Sequence, residues 1–195
     1  VNAPIDLAST GSFKTKNGAD AEITHTIITA LGDASSTTRK DLQGMNGALG
    51  GNYVLGADID ASATLGWNDG KGFAPVGDEG ISFTGTFDGL GHMIKNLTIK
   101  NPVDNDGNGL DTGLFGSAEG ATFRNIGLTN VNISGSGYVT GGLLGYGDGI
   151  TIENAYVTGK VTGTATATGG LVGEIENALI NNSYVLGDVS GKNTV

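Results

Sequence analysis

Gly113-Leu-Phe-Gly116, Gly142-Leu-Leu-Gly145 and Gly170-Leu-Val-Gly173 begin 29 and 28 residues apart. A second series, Ile94-Lys-Asn96, Phe123-Arg-Asn125, Ile152-Glu-Asn154 and Ile180-Asn-Asn182, places its asparagines 29, 29 and 28 residues apart. A third marker, the glycines at 135, 163 and 191, recurs at 28 and 28. Three markers on one period define an internal repeat, which takes precedence over any residue-by-residue assignment. Within each unit, short alternating runs such as Ile150-Thr-Ile152 and Tyr156-Val-Thr-Gly-Lys-Val161 are rich in Val, Ile, Thr and Tyr, and Gly, Asn and Asp separate them. A unit of about 28 residues with three short strands fits one coil of a parallel β-solenoid: one coil cannot bury its inward face, and stacked coils share a continuous core. TPR, ankyrin and HEAT repeats need helices that this composition hardly forms.

The repeat assigns roles. Ile94, Phe123, Ile152 and Ile180 are expected to stack inside as one apolar column, and Leu114, Leu143 and Leu171 as another. The glycines around Leu114, Leu143 and Leu171 are expected to supply positive φ and close backbone approach at corners. Asn96, Asn125, Asn154 and Asn182 are expected to form one ladder of side-chain amides at a turn. Before them, Lys95, Arg124, Glu153 and Asn181 form an exposed column in which Arg124 and Glu153 are placed to pair, a contact of small value.

Composition excludes whole classes. The 195 residues include 36 Gly but only 3 Pro and no Cys, so collagen and disulfide-stapled scaffolds are out. No apolar run is long enough for a membrane-spanning helix. Twenty acidic against ten basic residues give a net charge of -10, without a Lys/Arg cluster, which argues against a nucleic-acid partner. The N-terminal stretch Val1-Asn-Ala-Pro-Ile-Asp6 lacks a basic or strongly apolar leader pattern and is read as the start of a mature piece or interior segment.

Upstream of the repeats the pattern is looser. Residues 1–50 are read as irregular coils or strands, with Ile23–Ile27 alternating as a strand and a short helix expected near Thr38–Met45. Residues 51–195 are assigned to the solenoid, with an excursion at 61–80 that carries the only Trp, Trp67, and packs on the flank. About seven coils are expected at about 4.8 Å each.

Asp41-Leu-Gln-Gly-Met-Asn46, Tyr53-Val-Leu-Gly-Ala-Asp-Ile-Asp-Ala-Ser62, Gly72-Phe-Ala-Pro-Val-Gly77 and Phe83-Thr-Gly-Thr-Phe-Asp-Gly-Leu-Gly-His92 resemble filamentous-haemagglutinin-type exoproteins of the two-partner secretion route. The later Gly-Leu-x-Gly units resemble GLUG repeats of such adhesins. The resemblance covers residues 33–191 and implies a right-handed β-helix shaft, an outer-membrane transporter as partner, and attachment to a host-cell receptor, glycan or surface. Surface peptidases with these repeats carry His-Glu-x-x-His, which is absent here.

Candidate chemistry is sparse. His25 and His92 have no ligand-spaced neighbours, and Asp58 and Asp60 share one strand face, where turn capping competes with glycosidase-type catalysis. The acidic loop containing Asp104, Asp106, Asn108 and Asp111 resembles half a calcium loop without its terminal bidentate Glu, so calcium is the one cofactor considered. Trp67, Tyr138 and Tyr146 are the candidates for stacking against a glycan. Alternating Thr162, Thr164, Thr166 and Thr168 are not repeated on the preceding coil, as an ice-binding face would require. Of the sequons at Asn96, Asn132 and Asn181, Asn132 is the better acceptor because Asn96 belongs to the ladder. The expected function is a non-enzymatic shaft segment of a secreted bacterial surface adhesin, outer-membrane associated. A polysaccharide-active β-helix enzyme and a purely structural filament or spacer are the alternatives.

Overall fold

The computed structural model describes residues 3–103, 107–164 and 166–192. Its strands are β1 (Phe13–Thr15), β2 (Ile23–Ile28), β3 (Asn52–Leu55), β4 (Ile59–Asp60), β5 (Thr86–Asp88), β6 (Met93–Lys95), β7 (Thr98–Lys100), β8 (Phe115–Glu119) and β9 (Thr122–Arg124). They continue as β10 (Gly127–Gly135), β11 (Val139–Thr140), β12 (Leu144–Asp148), β13 (Thr151–Glu153), β14 (Tyr156–Gly163), β15 (Ala167–Thr168), β16 (Val172–Glu176), β17 (Leu179–Asn181) and β18 (Tyr184–Ser190). Each strand pairs with its counterpart on the next coil. One face stacks β2-β3-β5-β9-β13-β17, another β4-β6-β10-β14-β18, a third β8-β12-β16, and a short fourth edge β11-β15. All these ladders are parallel; β1 alone pairs antiparallel, on β2 at the N-terminal end. The chain is therefore an all-β parallel solenoid of about six coils, one fewer than expected, with no α-helix among the described residues.

The 28-residue period holds only downstream. Phe123, Ile152 and Ile180 are register partners, as are Leu128, Val157 and Val185. Upstream, Phe123 pairs with Phe87 and Leu128 with Ile94, at separations of 36 and 34. The longer step has two visible causes, the excursion at 61–80 and the loop at 101–112. It corrects the first apolar column: Ile94 lies on the face of Ile59, Leu128 and Val157, while Tyr53 and Phe87 continue the column of Phe123, Ile152 and Ile180. The Leu114, Leu143 and Leu171 column stands, with the Leu143 N–H donating to the Leu171 carbonyl.

The glycines flanking those leucines do not take positive φ; among the described residues their role is close approach alone. A Cβ on Gly145 would lie 2.6 Å from the Gly116 carbonyl oxygen, and one on Gly142 2.4 Å from that of Gly170. The left-handed corners belong to Gly120, Gly149 and Asn177 on one column and to the asparagines on others. Asparagine is the residue besides glycine that enters this region at low cost, because its short amide can bond locally.

The core is densest where four phenylalanines meet. Phe83, Phe87, Phe115 and Phe123 are fully buried, with ring centroids 4.7 Å apart for Phe115 and Phe123 and 4.9 Å for Phe83 and Phe115. A second interior column follows Thr112, Thr140 and Thr168, each buried against the facing Gly135, Gly163 and Gly191. A Cβ on Gly163 would lie 2.1 Å from the Thr168 Oγ1, so the recurring glycine makes room for the recurring threonine.

The excursion at 61–80 folds as 3-10 turns Ser62–Gly66 and Asn68–Gly70 and lies on the flank, where the Phe73 N–H donates to the Thr98 carbonyl. The expected short helix is a 3-10 turn, Gln43–Gly47, whose two amides act as backbone substitutes. Gln43 bonds both the carbonyl and the N–H of Ala74, and Asn46 bonds the Pro75 carbonyl and the Gly77 N–H. β2 pairs in parallel with β3, so the solenoid ladder runs across residue 50.

On the third face Glu119, Asp148 and Glu176 lie in register on successive coils. Carboxylates opposed across adjacent strands, about 4.8 Å apart, repel. Melting temperature is therefore expected to rise between about 0.01 M and 1 M NaCl, as the Debye length falls from about 30 Å to about 3 Å. Glu176→Gln should flatten that slope in scanning calorimetry, and an equal slope in both proteins would refute the repulsive column.

Candidate functional site

The corner asparagines form two ladders rather than one. In the first, Asn154 Nδ2 donates to Asn125 Oδ1 at 3.0 Å and Asn125 Nδ2 to Asp88 Oδ1 at 3.0 Å. In the second, Asn130 Nδ2 donates to Asn96 Oδ1 at 2.8 Å and Asn96 Nδ2 to Asp60 Oδ1 at 3.0 Å. Asn96 thus leaves the expected ladder for the same reason as Ile94, the long upstream coil. Asn182 repeats the left-handed backbone, with φ of 47° against 53° at Asn154. Both ladders point the same way: amide N–H groups donate toward the N-terminal coils and an aspartate receives the last of them.

The aspartate at the head of the first ladder is buried. Asp88 accepts the Arg124 Nε–H at 2.7 Å, the Leu90 N–H at 2.9 Å and the Asn125 amide. Arg124 therefore turns to Asp88, and the expected Arg124–Glu153 pair does not form although the two residues are register partners.

Asn154→Ala is expected to lose about 1–3 kcal/mol, from one hydrogen bond and from a Cβ-bearing residue without a polar group in the left-handed region. Asn154→Gly, which keeps the backbone, should recover part of the loss. Chemical denaturation of both variants checks this, and an unchanged Asn154→Ala midpoint would contradict the ladder.

Beside the first ladder runs a groove of about 370 Å³. Asn125, Asn154 and Asn182 line one side, Tyr156 and Tyr184 another, and Ala3 and Ile5 of the N-terminal segment the opposite wall. The two tyrosine rings stack at 5.3 Å and 7°, and they can because position 127, one coil earlier, is glycine: a Cβ there would lie 2.3 Å from Tyr156 Cζ. The N-terminal wall is held by bonds from the Ile5 N–H to the Leu90 carbonyl and from the Leu7 N–H to the Gly56 carbonyl. Buried His92 places Nε2 2.9 Å from the Ile5 carbonyl oxygen, while its Nδ1 lies 3.3 Å from Asp58 Oδ1.

The other candidate residues take separate places. Trp67 is half-buried and stacks on Phe73 at 6.5 Å and 20°. Tyr138 is 66% exposed, and Tyr146 sits on β12 beside the acidic column, its hydroxyl pKa raised by burial and by the carboxylates of Glu176 and Asp148. No ring contact joins any two of these three among the described residues. Asp58 is bound by Lys95 at 2.8 Å and by the Met93 N–H; burial opposes these bonds, but they prevail and lower its carboxyl pKa. Asp60 is lowered by Asn96 and Ser62. Both carboxylates are thus engaged in corner bonding.

Of the calcium candidates, Asp104 and Asp106 lie outside the described residues. Asn108 precedes Gly109, which bridges Val103, and Asp111 is buried with Oδ1 unpartnered. Among the described residues, no three His, Asp or Glu side chains are arranged to hold a metal. Burial, then the charge of Glu79 and, more weakly, Glu174, push the Asp111 carboxyl up to about 6. A carboxyl whose native pKa lies above its unfolded value contributes stability below about pH 4 that is lost as pH rises through about 6. Asp111→Asn is therefore expected to be more stable than the parent at pH 8, by about 1–3 kcal/mol, and equal to it near pH 4. Urea titrations at both pH values test this, and the same difference at both would contradict it.

Sequence reasoning missed the tyrosine pair and the threonine column. Both carry a signal in hindsight, because Tyr156 and Tyr184 are 28 residues apart and Thr112, Thr140 and Thr168 recur at 28.

The fold and its corners make this chain a GLUG-containing β-solenoid: residues 136–162, about one coil spanning β11 to β14, match the GLUG motif. A relative at the level of the whole chain is halomucin of Haloquadratum walsbyi (strain DSM 16790 / HBSQ001), 39% identical over 166 residues. That alignment takes in 78% of this chain but 2% of halomucin, so the chain spans about one fiftieth of its relative's length. No solved structure matches.

Proposed function

We propose that this chain is a non-enzymatic shaft segment of a long, secreted cell-surface protein and that it serves attachment. The observation that carries this reading is the stacked coil itself. Each coil bonds only its neighbours, so length is added without a new core, and the last coil presents apolar surface that a further coil would cover. Ile180 on that coil is 38% exposed, where its column partners Ile152 and Phe123 are buried. The match to a small fraction of a very long protein supports the same reading. A filamentous-haemagglutinin-type adhesin delivered through an outer-membrane transporter to a host-cell receptor or glycan is the finer form of the proposal, and it rests on the motifs of residues 41–92. The corner bonding of Asp58 and Asp60 favours the non-enzymatic reading over a glycosidase.

The test is an immunoblot of source-cell fractions with antibody to this chain. A band far above 19.6 kDa at the surface or in the medium is expected. A band near 20 kDa inside the cell would overturn the proposal.

A further inference from the structure

We propose that the groove between the N-terminal segment and the Tyr156–Tyr184 pair binds a neutral, hydroxyl-rich chain, a linear oligosaccharide, lying along the solenoid axis. The inference deepens the attachment reading above and moves glycan contact away from Trp67, Tyr138 and Tyr146.

Four features of the groove converge on this class of ligand. Its lining includes three carboxamides and no charged side chain. Each amide has hydrogen-bonding capacity beyond the ladder: Asn125 and Asn154 each use one N–H along it, which leaves the second N–H of each for a ligand. Asn182 makes no side-chain bond in the ladder. Such groups suit hydroxyls, which donate and accept, better than a purely apolar molecule, which would leave the amides unpaired. Next, the two coplanar tyrosines give the groove an aromatic wall with polar tips, suited to a ligand that has both C–H and O–H surface. The third feature is periodicity. Asparagine and tyrosine recur once per coil, so the donor set repeats at about 4.8 Å along the axis, and a polymer with a comparable repeat meets equivalent groups at each step. The last is charge: a net charge of -10 with no lysine or arginine in the lining disfavours acidic glycans and nucleic acids. The volume of about 370 Å³ lies within the range of small-ligand clefts.

Tyrosine 156 also explains Gly127, which the repeat alone does not. The Gly127 position has to be bare for the Tyr156 ring to lie on it, so the aromatic stack begins at a residue that acts only as a floor.

The experiment titrates the purified chain with maltohexaose, cellohexaose and chitohexaose. An oligogalacturonate serves as the acidic probe and a peptide copying residues 3–8 as the extended-chain probe. Shifts in the side-chain amide signals of Asn125, Asn154 and Asn182 and in the ring signals of Tyr156 and Tyr184 are the readout. At least one neutral sugar is expected to shift them with a Kd of about 1 mM or tighter, and Tyr184→Ala to weaken it about tenfold or more. Because Tyr184 belongs to the last coil, Asn182→Asp is made alongside. It suits the left-handed corner, places a charge in the groove and should weaken binding with an unchanged melt. Tyr138→Ala, on a loop outside the groove, should bind as the parent does.

Absence of shifts with every neutral sugar overturns the inference, as does equal or tighter binding of the oligogalacturonate. Displacement of the sugars by the peptide at lower concentration would assign the groove to a protein segment and overturn it too. Binding is read on the isolated chain and cellular location by immunoblot. A surface band without sugar binding defeats this inference alone, and sugar binding with a small internal band defeats the shaft reading alone.

Discussion

Phe123→Ala is expected to lower stability by about 3–5 kcal/mol, the range for emptying a fully buried aromatic site. Phe123 has no exposed surface and packs within 4.7 Å of Phe115 and 5.8 Å of Phe83, ring centre to ring centre. Its neighbours are held from three directions, by β5, β8 and a bridge from Phe83 to Ala118, so the hole has little room to collapse. Position matters as much as size. Phe123 sits on β9, in the middle of a stack in which coils contact only their neighbours, and a defect there weakens the coupling between both halves. Hydrogen exchange should accelerate in β5 and β13 together, and the thermal transition should drop or split. A shift equivalent to less than about 1 kcal/mol would mean that the aromatic cluster is not the packing centre.

Gly85→Ala is the second large effect, about 3 kcal/mol or more, from a different cause. A Cβ at this position would lie 1.8 Å from the Gly51 carbonyl oxygen and 2.8 Å from its carbon. The obstacle is backbone, and that carbonyl already accepts the Thr86 N–H, so no rotamer change relieves it. Two coils would have to separate, with loss of the pairing of β3 with β5. Gly50→Ala provides the matched control, since its Cβ would have Thr84 Oγ1 at 3.5 Å as its nearest neighbour, an ordinary contact. Thermal melts of the two variants should differ by most of the predicted loss. Equal midpoints would show that the coils can separate locally at negligible cost.

The two predictions bear on function through rigidity. The tyrosine groove and the asparagine ladder lie on consecutive coils, and their spacing is maintained only while those coils stay in register. Phe123 immediately precedes Arg124 and Asn125, so the packing centre and the head of the ladder share one short strand and its corner.

What the sequence determined by itself is whatever repeats at constant spacing. Ile152 and Ile180, Leu143 and Leu171, and Asn125 and Asn154 are 28 or 29 residues apart, and each pair meets on adjacent coils. Alternating Val, Ile and Thr specified strands, and Asn at the corners specified turns, because both preferences are local to a few residues. The tertiary structure decided every contact that crosses a coil of unequal length. Asn96 and Ile94 matched the repeat by position yet stack on residues 34 away, because the excursions lengthen the upstream coils. Asp88 found Arg124 over 36 residues, and Phe83 found Phe115 and Phe123 from outside any strand. The groove is of the same kind, since its far wall is the N-terminal segment, which carries no repeat and is positioned by His92. A period predicts neighbours only while each coil has the same number of residues; beyond that, the stacking of coils in space chooses them.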